Sequence, residues 1–208
     1  MGYRSGLFFF CLILPFTAAA EGVTKPARTM DFTLVRCATC HGSDGNASIN
    51  KAWPKLAGQN AVYFLKALKD FRLDTKHGRK NALMNSIVSR LSEKEMVAIA
   101  NYYAELPGTI EATQADLVPL GQRLYRGGDP IKGIPACLAC HGPAGLGNPL
   151  AGFPRLSGQH AAYVTEQLKA FREDKRIDDQ HQIMSVIAKK MNNADIEALA
   201  SYISGLYF

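Results

Sequence analysis

Apolar residues recur at helical spacing in several stretches of the chain, and the same stretches return one hundred residues later. Val62, Leu65, Leu68 and Phe71 fall on one face of a helix, and Ala162, Val164, Leu168 and Phe171 do so less tidily. Farther on, Ser92 with Glu95 three residues later is a capping-box pattern, which opens a helix carrying Met96, Ile99, Ala100 and Tyr103 toward a core. Its counterpart starts near Asn192 and carries Ile196, Leu199, Ala200 and Ile203. Shorter helical runs precede these, Ala27 to Arg36 in the first half and Leu117 to Tyr125 in the second. The stretches 42–59 and 142–159 are rich in Gly, Asn and Pro and have neither helical nor strand periodicity. Strand-like alternation is absent throughout. The pattern predicts an all-α protein with three helices in each half.

Sliding the sequence by 100 residues aligns 37–104 with 137–204 without a gap, and 21 of those 68 positions are identical. The matches include Gly42/Gly142, Gly45/Gly145, Pro54/Pro154, Leu56/Leu156, Gly58-Gln59/Gly158-Gln159, Tyr63/Tyr163, Phe71-Arg72/Phe171-Arg172, Met84/Met184 and Tyr102/Tyr202. This is a duplicated domain. A Gly-Gly-Asp-Pro loop, 127–130, delays the second half's arrival at Cys137 and is the main departure from symmetry. The expected division is 21–107 for the first domain, 108–116 for a linker and 117–208 for the second domain. Residues 1–20 stand apart: Arg4, an apolar run from Leu7 to Phe16, then Ala18-Ala19-Ala20 before Glu21. That is the layout of a secretory signal peptide cleaved after Ala20. The apolar run is short of the ~20 residues that span a bilayer.

At about ninety residues, each half is small for a self-sufficient apolar core. The repeat supplies a remedy. Cys37-Ala38-Thr39-Cys40-His41 and Cys137-Leu138-Ala139-Cys140-His141 both have the form Cys-x-x-Cys-His, the attachment sequence for c-type haem. Two thiols add to the vinyl groups of one haem, and the histidine is held under the iron. Two copies in register within a repeat make chance negligible. The expected cofactors are two covalently attached haems c, one per half, whose macrocycles give the helices apolar surface to pack on.

Competing readings of these cysteines fail on spacing. A zinc cage needs two Cys-x-x-Cys pairs at finger-like separation, and these lie 96 residues apart. A thioredoxin-like pair needs a βαβ context. With Cys11 inside the leader, the two motifs use every other cysteine, so no thiol is left for a disulfide or an axial ligand.

The sixth iron ligand separates electron transfer from catalysis, because an open haem binds oxygen or peroxide whereas a methionine-closed haem mostly passes electrons. Met84 matches Met184, each 43 residues beyond its histidine and each expected in a loop. Met96 matches Ile196 and Met191 matches Leu91, so these read as core; Met30 has no methionine counterpart. Bis-histidine ligation finds no recurring second histidine: His77 aligns with Ile177, His160 with Asn60 and His181 with Asn81. The expected ligand pairs are His41/Met84 and His141/Met184. Pro54 and Pro154, each 13 residues after the histidine, are candidates to orient the imidazole through their C=O. Arg72/Arg172 and Tyr63/Tyr163 are candidate propionate partners, the tyrosines having a core position as the alternative.

Charge adds one asymmetry. Residues 21–108 hold 13 basic and 8 acidic side chains, residues 109–208 hold 10 of each, and the resulting dipole suits an acidic partner surface. The lysines are scattered among carboxylates, so nucleic acid is not an expected partner.

Two haem motifs a hundred residues apart, Pro-x-Leu-x-Gly-Gln after each, Phe-Arg on the next helix, a methionine before the last helix and a terminal helix ending in Tyr resemble dihaem cytochrome c4 over nearly the whole mature chain. The resemblance implies two tandem cytochrome c domains related by a pseudo-twofold axis. It implies a periplasmic electron carrier of the respiratory chain, not an enzyme, with a terminal oxidase as acceptor and a quinol-oxidising complex or dehydrogenase as donor. The family includes proteins loosely associated with the membrane, and no small-molecule substrate is expected. The alternative is the electron-accepting subunit of a periplasmic dehydrogenase, such as a sulfide-oxidising flavoprotein. Peroxidase or thiosulfate dehydrogenase activity would need an open haem or a free cysteine ligand. The chain departs from the repeat at Asn148-Pro149-Leu150 against Ser48-Ile49-Asn50, and the segment before Met84 is more basic than that before Met184.

Overall fold

The computed structural model describes residues 1–2, 28–73, 78–177 and 182–207, with side chains in the first helix from Thr33 onward. Residues 3–20 of the leader, His77 and His181 lie outside the described residues, as does the side chain of Met30. Among the described residues the chain is helical, with two isolated β-bridges in the second half, Asp129 to Ile134 and Asn148 to Phe153.

The first half holds α1 (Arg28–His41), α2 (Ala61–Arg72), α3 (Ala82–Val88) and α4 (Glu93–Glu105). The second holds α5 (Val118–Gly127), α6 (Leu138–His141), α7 (Ala161–Arg172), α8 (Ile183–Ala188) and α9 (Asn193–Ser204). Three helices per half therefore understates the structure. In each half a short extra helix precedes the last one, and Met84 and Met184 sit on it, not in a loop. Local chemistry explains α3: the Asn81 side chain accepts from the Met84 N–H and so closes its first turn. In the first half one helix runs straight through the Cys37 motif, whereas in the second the Gly-Gly-Asp-Pro loop splits the same element into α5 and α6.

Two cores form, one per half. Val88, Met96, Ile99, Ala100 and Tyr103 gather under α2 and α4, and Leu124, Ile196, Leu199, Ala200 and Ile203 under α5 and α9. Both capping boxes are present, Ser92 with Glu95 and Asn192 with Asp195. The α2 face is turned from its expected position. Val62 is 57 % exposed and Phe64 is buried instead, its ring stacked on Tyr103 at 5.6 Å. Where α5 crosses α9 the backbones nearly touch, since a Cβ on Gly121 would stand 2.3 Å from the Ala198 carbonyl oxygen. Only glycine fits there.

The halves meet through a reciprocal clamp. Gln59 accepts from the Arg155 N–H at 2.8 Å and donates to the Arg155 C=O at 3.0 Å; Gln159 does the same to Lys55 at 2.8 and 3.0 Å. Each amide thus satisfies both backbone groups of one residue in the opposite half, as a paired strand would. The matched pair is the signature of a pseudo-twofold relation. The connecting segment is tied into this seam: Asn46 accepts from the Thr109 N–H, Lys55 donates to the Thr109 C=O, and Glu111 donates its N–H to Ser204.

His160 breaks the symmetry of the seam. It stands where the first half has Asn60, is fully buried, and bonds Glu111 through Nδ1 at 2.9 Å. Its Nε2 has no partner. Burial holds the imidazole below its ordinary pKa, only partly opposed by the Glu111 carboxylate, while Lys51 and Lys55 add to the depression. A lowered folded pKa means the unfolded chain takes up the proton first, so stability is complete above the unfolded value of about 6.5 and is lost below it. His160→Asn is expected to remove a component worth up to about 1.4 kcal/mol per pH unit from the acid side of the stability curve. Denaturant midpoints of variant and wild type at pH 7.5 and pH 5 check this, with the gap shifting in the variant's favour at pH 5.

Candidate haem site

Between the helices lies one continuous cavity of about 770 Å³ that reaches into both halves. In the first half Cys37, Cys40, His41 and Met84 line it; in the second Cys137, Cys140, His141 and Met184 do. All eight residues singled out by the repeat therefore face a common space. Met191 also lines it, in the position Leu91 holds in the first half, so its sulfur has no counterpart.

Each histidine arrives at the C-terminal end of the helical turn that carries its two cysteines. His41 Nδ1 is 2.9 Å from the Pro54 carbonyl oxygen, and His141 Nδ1 is 3.0 Å from that of Pro154. A carbonyl only accepts, so Nδ1 carries the proton and Nε2 is left as a bare electron pair. Both imidazoles are buried, and desolvation lowers their pKa despite the proline bond. They are neutral near pH 7, as a metal ligand must be. Burial also raises the Cys37 thiol and pushes that of Cys137 up to about 11, well away from the reactive thiolate range.

A buried phenol stands beside the first cysteine of each motif, but from different helices. Tyr103 on α4 fills this role in the first half, where Ile203 is its repeat mate; Tyr125 on α5 fills it in the second and donates to the Gly142 C=O at 2.7 Å. The matching glycines lie close by: a Cβ on Gly45 would stand 2.9 Å from the Tyr103 ring, and one on Gly145 would stand 2.7 Å from Leu206 and 3.2 Å from the Tyr125 hydroxyl. Burial raises both phenols above their ordinary range.

The expected arginines turn away. Arg72 pairs with Glu93 at 2.9 Å on the surface, and Arg172 reaches the Met191 carbonyl. Neither lines the cavity. Arg79 and Arg176 stand there instead, each laid over the phenylalanine of its own half, Phe71 at 4.7 Å and Phe171 at 4.4 Å. Each then crosses the seam: Arg79 donates to the Tyr163 hydroxyl at 2.5 Å and Arg176 to the Tyr63 hydroxyl at 3.0 Å. Sequence comparison missed this pair because Arg79 and Arg176 are 97 residues apart, not 100. Their N–H groups bond equivalent carbonyls, those of Asp70 and Ala170, so the repeat slips by three residues inside this loop. The cation–aromatic–phenol set at the middle of the cavity suits the carboxylates of a haem, while Phe64, Leu68, Val164 and Leu168 suit its macrocycle.

Two helical units, each with paired thiols, a carbonyl-oriented neutral imidazole and a thioether around a shared apolar cavity, define a tandem c-type cytochrome. The comparisons agree. The family model "Cytochrome c" matches residues 32–107 and again 119–206. A cytochrome c4 of Azotobacter vinelandii is 44% identical over 178 residues, covering 82% of this chain and 84% of its own. A thiosulfate dehydrogenase electron acceptor of Stutzerimonas stutzeri (strain A1501) is 38% identical over 193 residues, covering 89% and 83%. The crystal structure of reduced recombinant cytochrome c4 from Pseudomonas stutzeri superposes with a TM-score of 0.81 at 42% identity, over 86% of this chain and 97% of the other. The chain belongs to the cytochrome c family, among the dihaem cytochromes of the c4 type. It carries two covalently attached haems c, at Cys37/Cys40 and Cys137/Cys140, and serves as an electron carrier to protein redox partners.

Proposed function

We propose that the protein shuttles single electrons in the periplasm between respiratory-chain components, with delivery to a terminal oxidase, through two haems ligated by His41/Met84 and His141/Met184. The observation that supports this most is the duplication of one arrangement. In each half a proline carbonyl fixes the imidazole tautomer, and the only methionine of that half with a repeat mate lines the same cavity. A thioether favours ferrous iron, raises the potential and occupies the position a substrate would need. The working unit in this reading is residues 21–208 after cleavage at Ala20, with domains 21–107 and 117–208 joined by 108–116.

A ferric sample is expected to show the weak near-infrared methionine–iron band at an intensity of two haems per chain. Absence of the band, or rapid peroxide turnover by the isolated protein, would overturn the assignment. The second reading, an electron acceptor for a periplasmic dehydrogenase, is favoured by the 38% identity to the thiosulfate dehydrogenase electron acceptor of Stutzerimonas stutzeri. It requires rapid reduction by a purified dehydrogenase at stoichiometric amounts.

A further inference from the structure

The two mouths of the cavity are not alike. At the first, Arg36 on α1, Lys66 on α2 and Lys80 just before α3 line the opening, beside Leu83, which is 52 % exposed. The repeat mates of Arg36 and Lys66 are Ala136 and Glu166, and Ile183 there is 37 % exposed; in sequence Lys80 corresponds to Gln180. Among the described residues, the side chains lining the cavity from the first half include no carboxylate. Lys66 is held by Asp70 at 2.5 Å, which offsets its charge, but Arg36 and Lys80 have no ion-pair partner among the described residues. At the second mouth Glu166 lies on the rim, and Lys175 is bound to Glu173 at 2.7 Å. In sequence, the segment leading to each methionine continues the contrast: Lys76-His77-Gly78-Arg79-Lys80 against Arg176-Ile177-Asp178-Asp179-Gln180.

A carrier must present its cofactor edge to a partner for a short time, and transient redox interfaces are small apolar patches rimmed by charge. The rim charge sets the encounter rate and the choice of partner more than the affinity. The geometry points to the first mouth, Arg36, Lys80 and Leu83, as the docking face for a redox protein with an acidic rim. The second mouth, less basic because Ala136 and Glu166 stand where the first has Arg36 and Lys66, is left for a partner of different surface chemistry. Two dissimilar docking faces give the dihaem chain a direction, since an electron entering at one face leaves at the other. This rests on the electron-carrier reading and adds to it which half meets the acidic partner.

The probe is a gold electrode coated with a carboxylate-terminated monolayer, which presents an acidic face, run beside a hydroxyl-terminated one. The haem of the first half is labelled by the displaced potential of Met84→His. On the carboxylate surface the first-half wave is expected to dominate and to fall at least tenfold between 10 mM and 500 mM salt. Arg36→Glu with Lys80→Glu should cut it at least tenfold at low salt, while the charge-matched control, Lys175→Glu with Lys189→Glu, stays within twofold of wild type. Haem content and the near-infrared band confirm that each variant is intact. Equal loss in the two double variants, or none in the first, overturns the docking face. Binding to anionic phospholipid vesicles that the first double variant abolishes, with electrode exchange unchanged, reassigns the patch to a membrane surface. If neither electrode gives a reversible wave, it is the electron-carrier reading that has failed.

Discussion

Replacing Cys137 and Cys140 together with serine is expected to leave the second half unfolded while the first half keeps its haem and its helices. The argument is one of volume. The side chains alone enclose about 770 Å³ across the two halves, lined by Leu168, Phe171, Ile187, Leu199 and Ile203 in the second. Residual cavities cost about 24 cal/mol per Å³, so half of that space is worth on the order of 9 kcal/mol. A domain of this size has a total stability of about 5–15 kcal/mol. Without the thioether bonds the macrocycle that fills the space is not retained, and the helices have too little else to pack on. The variant should contain one haem per chain, lose close to half its helical circular dichroism, and be cleaved by protease within 117–208 only. Retention of the full helical signal with one haem would show that α5, α7 and α9 support themselves through α5–α9 packing. The first half survives in this expectation because its core of Met96, Ile99, Ala100 and Tyr103 is its own, and the seam between halves is made of hydrogen bonds.

What could be read from the sequence was whatever depends on neighbours close in the chain or on the repeat. The capping box of Ser92 with Glu95, two residues three apart, appears as expected, and the helix expected to start near Asn192 has a box of its own with Asp195. The buried faces of α4 and α9 follow helical periodicity, with Met96, Ile99, Ala100 and Tyr103 and with Ile196, Leu199, Ala200 and Ile203 all buried. The α2 face did not follow, because that helix serves two surfaces: Phe64 and Leu68 reach the core and also line the cavity, and Val62 is left outside. A helix facing a cofactor has an apolar stripe that periodicity alone cannot apportion. The gapless slide located Met84 and Met184 but concealed Arg79 and Arg176, since two compensating shifts of three residues cancel by the time the methionines are reached. Gln59 and Gln159 were visible only as identities. Their role depends on the other half, which no local pattern contains. The linker was legible as composition, yet its Thr109 and Glu111 act in the seam, where Glu111 holds Lys51 and His160.

Met84→His and Met184→His are expected to lower one haem potential each, by on the order of 100 mV or more, and to leave the other nearly in place. Axial-ligand identity ranges haem potentials over about 0.8 V, and exchanging a soft thioether for an imidazole removes the preference for ferrous iron. The expected selectivity comes from the architecture: each methionine sits on its own short helix, packed against its own α2 or α7. The two sites differ in how firmly they are held. In the first half Asn85 donates to both the Phe71 and Arg79 carbonyls and Asn81 caps α3, whereas α8 begins at Gln182 with a left-handed φ of 57° and no side-chain cap. The Met84 site should therefore tolerate the new ligand with less change in neighbouring structure, giving the cleaner potential shift of the two. Potentiometric titration of both variants, with the near-infrared band followed in each, reads the outcome directly. One haem's share of the band should vanish in each variant. If either variant keeps both potentials within about 20 mV of wild type and the band at full strength, that methionine is not on the iron, and Met191 becomes the sulfur to test in the second half.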